Sequence, residues 1–182
     1  MAQIVDMTFT AEENDQTEAL VPATTTATSR WRCQVDASWS ETSDGIGMGF
    51  VLFEQEVEVL RGQCKGPQTE SPLHAETKSL CWAMTEVSER RVLRVSFESD
   101  CQQLVHIIQQ NKQWPALDAE LDEVETMKSA FKEFSISFIS RSANVCGDGL
   151  AKDVRSRVQR SSFVEVKDPL RLAIEASLYE TF

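Results

Sequence analysis

The sequence predicts an α/β fold in which a mixed β-sheet is flanked by helices. The predicted elements follow in the order β-β-β-α-β-α-α-β-α along the 182 residues. The first three strands are joined by short connections, which is typical of antiparallel hairpins. The later strands are separated by helices, which indicates parallel strands joined by right-handed crossovers. Helices that cross over in this way cover the faces of the sheet.

The first predicted strand runs through residues 31–39. Apolar residues occupy its odd positions, and Arg32, Gln34, Asp36 and Ser38 occupy its even positions. This period of two is the pattern of a β-strand. A carboxylate in the middle of such a strand is unusual, because aspartate is mostly exposed in folded proteins. Asp36 is therefore the first candidate functional residue.

Two further strands, over residues 46–52 and 56–64, are predicted before the first helix. The helix begins with Ser71 as its N-cap and Pro72 in the first helical position. Glu76 then falls on the apolar stripe of this helix, whereas a solvated glutamate would be expected on the opposite face. Glu76 is the second candidate.

The second half of the chain places two more carboxylates in comparable positions. A fourth strand over residues 92–98 is followed by Asp100 and then by a second helix. A third helix over residues 117–131 leads into a fifth strand over residues 134–138. The last helix carries Asp148 on its apolar stripe. Asp100 and Asp148 complete a set of four candidates.

Four carboxylates that lie close together would repel one another strongly in a medium of low dielectric constant. Mg²⁺ or Mn²⁺ would relieve this repulsion, because both ions are hard and prefer oxygen ligands. Such a cluster suits two-metal phosphoryl chemistry. Taken singly, each acid also has a simple structural explanation. Asp100 would be a helix cap, Asp148 a first-turn acid on the helix dipole, Asp36 a hydrogen-bond partner of a neighbouring loop, and Glu76 a side chain tilted towards solvent.

The motifs around these acids resemble the ribonuclease H superfamily, and they are most similar to plant reverse-transcriptase-like, type 1 ribonuclease H domains. Five motifs in the family's order carry this resemblance over residues 31–160. They are Val35-Asp36-Ala37-Ser38-Trp39, Gly45-Ile46-Gly47, Ser71-Pro72-Leu73-His74-Ala75-Glu76, Phe97-Glu98-Ser99-Asp100, and Ser140-Arg141-Ser142-Ala143-Asn144 with Asp148-Gly149-Leu150-Ala151.

The resemblance implies a five-stranded mixed sheet with the strand order 3-2-1-4-5. It also implies an endonuclease that hydrolyses the RNA strand of RNA–DNA hybrids by two-metal catalysis. The catalytic metal ligands would be Asp36, Glu76, Asp100 and Asp148, and they would hold two Mg²⁺ or Mn²⁺ ions.

The loop before Asp148 departs from the pattern of many bacterial relatives, which carry a histidine there. Arg141 and Asn144 instead fit the R-x-x-N pattern of plant and archaeal-type relatives. The resemblance implies that both residues contact the substrate together with Ser38, and that Arg141 binds phosphate or assists the departing product. Gly147 stands where relatives usually carry alanine.

A second hypothesis is a retroelement-derived module for nucleic-acid binding or protein interaction, in which catalysis is weak or lost. The acidic composition and the glycines on both sides of Asp148, Gly147 and Gly149, favour this hypothesis. The complete set of four acids favours the enzyme.

The composition divides the chain into three parts and excludes several classes of protein. Residues 1–30 carry five acids and one base and predict a disordered acidic, threonine-rich leader. Residues 161–182 are predicted to form a tail with a short helix at 170–178.

The net charge of -11 argues against strong non-specific binding of nucleic acid. We expect five free thiols, no membrane span, no secretory signal and a monomer in the cytoplasm or nucleus.

Overall fold

The computed structural model of the chain describes residues 29–157 and 161–180. The predicted leader lies outside the described residues, apart from Ser29 and Arg30. The described strands are β1 (Trp31–Ser38), β2 (Gly45–Glu54), β3 (Val57–Pro67), β4 (Arg94–Ser99), β5 (Glu133–Phe138) and β6 (Ser162–Val166). The described helices are α1 (Pro72–Glu89), α2 (Gln102–Gln109), α3 (Asp118–Lys128), α4 (Val145–Arg155) and α5 (Pro169–Ser177).

The six strands form one mixed sheet with the order β5-β4-β1-β2-β3-β6. Strand β1 pairs with β2 in the antiparallel sense and with β4 in the parallel sense. Strands β2 and β3 are antiparallel, and β4 and β5 are parallel. Read from β3 to β5, the first five strands have the order 3-2-1-4-5. The predicted fold class is therefore confirmed.

The sixth strand of the sheet, β6, was not predicted from the sequence. Strand β6 pairs with β3 in the antiparallel sense, from Leu60 opposite Val166 to Cys64 opposite Ser162. Helix α5 follows at Pro169–Ser177, and its Leu172 is only 8% exposed and belongs to the main hydrophobic core. The segment expected to be a tail therefore contributes a strand and a packed helix to the domain.

Helices α1 and α4 pack on opposite faces of the sheet. Val35 and Phe50 face the core with the buried side of α1. Asp36 pairs with Gly49 across β1 and β2. Because successive side chains of a strand alternate, these two positions lie on the face of the sheet that is opposite to α1. A Cβ atom on Gly49 would lie 2.7 Å from the carbonyl oxygen of Gly147. Glycine at this position therefore lets the backbone of α4 rest directly on the sheet.

In the described ranges, residues 29–157 and 161–180, no helix combines the length and apolar character needed to cross a membrane. All five cysteines of the chain are free. They are Cys33, Cys64, Cys81, Cys101 and Cys146.

Candidate metal centre

Three of the predicted acids meet at one edge of the sheet. Strands β1 and β4 are parallel neighbours, and Val35 pairs with Ser99. The next residue along each strand direction is an aspartate, so Asp36 and Asp100 lie side by side. Glu76 approaches from α1, and one carboxylate oxygen of each acid lies within 4.8 Å of those of the other two.

Two hydrogen bonds between α1 and β1 position Glu76. The backbone N–H of Ala37 donates to Oε1 of Glu76 at 3.4 Å. The hydroxyl group of Ser79, one turn further along the helix, donates to the backbone carbonyl oxygen of Asp36 at 2.6 Å. Ser79 is fully buried. The apolar stripe that made Glu76 a candidate therefore lies directly against the strand that carries Asp36.

The electrostatics of this cluster are unfavourable for three bare carboxylates. Burial, followed by the negative charges of Asp100 and Asp148, raises the pKa of Asp36 from 3.8 to about 7. Burial, followed by the charges of Asp36 and Asp100, raises the pKa of Glu76 well above its ordinary value. The charges of Asp100 and Asp148 therefore make the ionised form of Asp36 less favourable, whereas the hydrogen bond between Asp36 and Glu76 lowers the pKa of Asp36.

The residues fit a hard divalent cation. Oε2 of Glu76 is buried and has no hydrogen-bond partner. The side chain of Asp100 is 5% exposed, and Asp36 is 4% exposed. Oxygen ligands of Mg²⁺ lie about 2.1 Å from the ion and hence at most about 4.2 Å apart. The limit of 4.8 Å on the separations between the oxygens of the three acids is close to this spacing.

Asp148 lies beside this cluster and is not one of its three members. It sits in the first turn of α4, and its Oδ2 atom is 2.7 Å from Nζ of Lys152. Its charge still reaches Asp36, because it is one of the causes that raise the pKa of Asp36. Metal binding by Asp148 stays a prediction.

Arg141 stands at the rim of the cluster. It opens the short 3₁₀ turn of residues 141–143 that follows β5. Its Nε atom is 3.5 Å from Oδ2 of Asp100, and its side chain is 86% exposed. The guanidinium group therefore has room to contact a ligand, but the predicted contact with a substrate is untested.

The structure does not support the predicted substrate contact of Asn144. Asn144 is fully buried, and its Nδ2 atom donates to the carbonyl oxygen of Val35 at 3.0 Å. Its side chain ties the start of α4 to β1, and a contact with a substrate stays a prediction. Ser38, at the end of β1, is only 6% exposed, so its side chain offers little surface to a substrate either.

Two residues of this region, Ser79 and Lys152, were not predicted from the sequence. Ser79 follows Glu76 by three residues, and Lys152 follows Asp148 by four residues, so each shares a helix face with its acid. This spacing was the signal that could have identified them. Both contact a candidate acid or its backbone.

A protein-family model matches the part of the chain that contains the candidate metal centre. Residues 34–154, about two thirds of the chain, match the family model described as reverse transcriptase-like. All four predicted acids lie within these residues. No curated protein matches the chain significantly.

Several solved structures share the fold. The RNase H1 of the archaeon Halobacterium salinarum is 18% identical, with a TM-score of 0.64 over 68% of this chain and 96% of that chain. The N-terminal RNase H domain of a Mycobacterium tuberculosis protein is 16% identical, with a TM-score of 0.62 over 70% and 94% of the two chains. LC11-RNase H1, isolated from compost and solved in complex with an RNA/DNA hybrid, is 15% identical, with a TM-score of 0.61 over 68% and 94%.

Proposed function

Because the chain belongs to the reverse transcriptase-like family, we propose that it is a metal-dependent endonuclease that hydrolyses the RNA strand of RNA–DNA hybrids. The observation that carries this proposal is the cluster of Asp36, Glu76 and Asp100 at the C-terminal ends of the neighbouring strands β1 and β4. The hybrid bound to LC11-RNase H1, which has a similar fold, supports the choice of substrate.

The residues of the chain would have separate roles in binding the metal ions and in positioning the ligands. Two bound Mg²⁺ or Mn²⁺ ions would supply a nucleophilic water and stabilise charge on the leaving oxygen. Asp36, Glu76 and Asp100 would hold the ions, with Asp148 completing the set. The N–H of Ala37 keeps Glu76 in place at 3.4 Å.

Arg141 would bind a phosphate group of the substrate. Its exposed guanidinium group lies next to Asp100 and can form charge-assisted hydrogen bonds to phosphate oxygens. Such a contact would orient the nucleic-acid backbone across the acidic cluster.

A second candidate function is a module that binds nucleic acid or protein with weak or lost catalysis. The ion pair between Lys152 and Asp148 favours it, because the ammonium group occupies an oxygen that a second metal ion would need. The net charge of -11 favours a protein partner over nucleic acid. One cleavage assay distinguishes the two functions.

The test uses an RNA strand with a 5′ label, presented as a hybrid, as single-stranded RNA and as duplex RNA. We expect the protein to cleave the hybrid, but neither single-stranded nor duplex RNA, when Mg²⁺ is present. With a chelator we expect no cleavage of any of the three. Asp100→Asn, which keeps the side-chain shape and removes the charge, should reduce cleavage to background while the circular dichroism spectrum stays unchanged. Asp122→Asn, at an exposed position of α3, is the matched control. Binding without cleavage by the unmodified protein would support the second function.

A further inference from the structure

Lys152 and Asp148 form an ion pair within α4. Nζ of Lys152 lies 2.7 Å from Oδ2 of Asp148, at the i, i+4 spacing that brings two side chains together on a helix. The lysine side chain is 62% exposed and the aspartate side chain is 30% exposed. Asp148 is also the one predicted acid that does not belong to the cluster within 4.8 Å.

We propose that Lys152 is a positioning residue that controls when Asp148 is available to a divalent cation. An ammonium group on Oδ2 competes with a cation for that oxygen, and its positive charge repels a second ion near Asp36. The inference rests on the proposed function, because it concerns the metal site of the proposed nuclease.

The contrast with Arg141 supports a specific role for the lysine. Arg141 reaches Asp100 at 3.5 Å only, whereas Lys152 reaches Asp148 at 2.7 Å. Asp100 is therefore available to the three-acid cluster, while Asp148 is held in its ion pair. The four acids thus divide into three that lie together and one, Asp148, whose carboxylate is paired with Lys152.

A phosphate group of bound nucleic acid would release Asp148. The lysine carries a compact charge on a long, flexible stem, and most of its side chain is exposed. A phosphate near the cluster would attract the ammonium group away from Oδ2. Binding of the ion next to Asp148 would then be coupled to binding of nucleic acid.

The experiment measures Mn²⁺ binding to the complete chain by titration calorimetry, first without nucleic acid. For the unmodified protein we expect one tighter site and a weaker second site. Lys152→Met, which removes the charge and keeps most of the stem, should tighten the second site about three- to tenfold, the effect of removing one exposed competing charge. Lys152→Gln should do the same.

Arg157→Met is the matched control. It removes one positive charge from the next i, i+4 ion pair of the same segment, between Arg157 and Asp153 at 2.7 Å. Its second-site affinity should equal that of the unmodified protein. With a hybrid whose RNA strand carries 2′-O-methyl groups, the unmodified and Lys152→Met proteins should bind Mn²⁺ alike, because phosphate then occupies the lysine.

A second-site affinity unchanged in both lysine variants would overturn the role of Lys152 and leave the proposed function intact, provided that the first site is lost in Asp36→Asn. An equal gain in second-site affinity in Arg157→Met would also overturn it. The effect would then depend on the net charge of the protein and not on the position of Lys152. Absence of Mn²⁺ binding at any site would overturn both proposals.

Discussion

Ser79 donates a 2.6 Å hydrogen bond to the backbone carbonyl oxygen of Asp36, which ties helix α1 to strand β1 at the candidate metal centre. The next backbone N–H of the strand, that of Ala37, donates to Glu76. Two successive residues of β1 are thus held by one helix. The two acids keep their spacing without a cation. Burial of Asp36, followed by the charges of Asp100 and Asp148, makes its ionised form unfavourable in the metal-free fold.

The raised pKa of Asp36, which is caused first by burial and then by the charges of Asp100 and Asp148, predicts how stability depends on pH. The pKa of Asp36 is raised from 3.8 to about 7, so the folded protein keeps a proton that the unfolded chain releases between these values. Stability should therefore fall as the pH rises from about 4 to 7, by up to about 4 kcal/mol from this group. At pH 7.5 in chelator, Asp36→Asn should be more stable than the unmodified protein by about 1–4 kcal/mol, as measured by urea denaturation.

The control for this prediction is Asp122→Asn on α3. Its stability should follow that of the unmodified protein at every pH between 4.5 and 8, because this aspartate is exposed. An Asp36→Asn variant that is equally stable or less stable at pH 7.5 would show that burial of this carboxylate does not strain the fold.

Divalent cations should reverse the penalty. A ligand at a hundredfold excess over its Kd stabilises the fold by about 2.7 kcal/mol, which corresponds to a rise in Tm of about 5–10 °C for a protein of this size. Mg²⁺ or Mn²⁺ at millimolar concentration should therefore raise the Tm, and Asp36→Asn should blunt the rise. An identical rise in both proteins would mean that the cation binds elsewhere.

The sequence predicted the central part of the molecule because the relevant signals are local. Asp36 lies on the polar positions of an alternating strand, and Glu76 falls on an apolar helix stripe. Both patterns follow from backbone periodicity alone. The order of the first five strands followed from the family resemblance and is confirmed by the structure.

The missed features depend on contacts between distant segments. Strand β6 is short, and its register depends on β3, about a hundred residues earlier in the chain. Asn144 became inaccessible because α4 packs onto β1, which no local pattern records. The separation of Asp148 from the other acids depends on a side-chain ion pair, and sequence periodicity places a residue on a helix face without specifying its partner.

The packing of α5 predicts that the segment after residue 160 contributes to stability. Leu172 is 8% exposed and lies in the main core, whereas Leu170 on the same helix is 69% exposed. Leu172→Ala should destabilise the protein by about 2–4 kcal/mol, and Leu170→Ala should change stability by less than about 0.5 kcal/mol. Urea denaturation of both variants checks this. Equal, small effects would mean that α5 is a dispensable tail.

Binding of a hybrid should depend only weakly on salt. The chain has a net charge of -11, and Arg141 and Lys152 are the cations that lie next to the predicted acids in the described residues. We expect about two to four phosphate contacts and hence a slope of log K against log salt of about -2 to -4. Fluorescence anisotropy with a non-cleavable hybrid measures this slope. A value steeper than about -6 would reveal a basic surface away from the metal centre.

Gly147 and Gly149 lie on either side of Asp148 in α4 but meet different surroundings. A Cβ atom on Gly147 would lie 2.8 Å from Oδ1 of Asn144 and 3.3 Å from Cβ of Asp36. Asn144 cannot move aside easily, because it is fully buried and its Nδ2 atom is bonded to the strand. A Cβ atom on Gly149 would meet nothing within 4 Å.

Alanine at these two positions should therefore change stability in opposite directions. Both glycines are helical, so alanine reduces the entropy of the unfolded chain and stabilises by about 0.4–1 kcal/mol at either position. At Gly147 the crowding against Asn144 and Asp36 opposes this gain by about 1–3 kcal/mol, so Gly147→Ala should destabilise overall. Gly149→Ala should stabilise by the full entropic amount. Because the added methyl group of Gly147→Ala would press on Asp36, this variant should also weaken Mn²⁺ binding, which Gly149→Ala should leave unchanged. Denaturation and calorimetry of the pair test this, and a stabilised Gly147→Ala protein would show that the start of α4 can move away from β1 without loss.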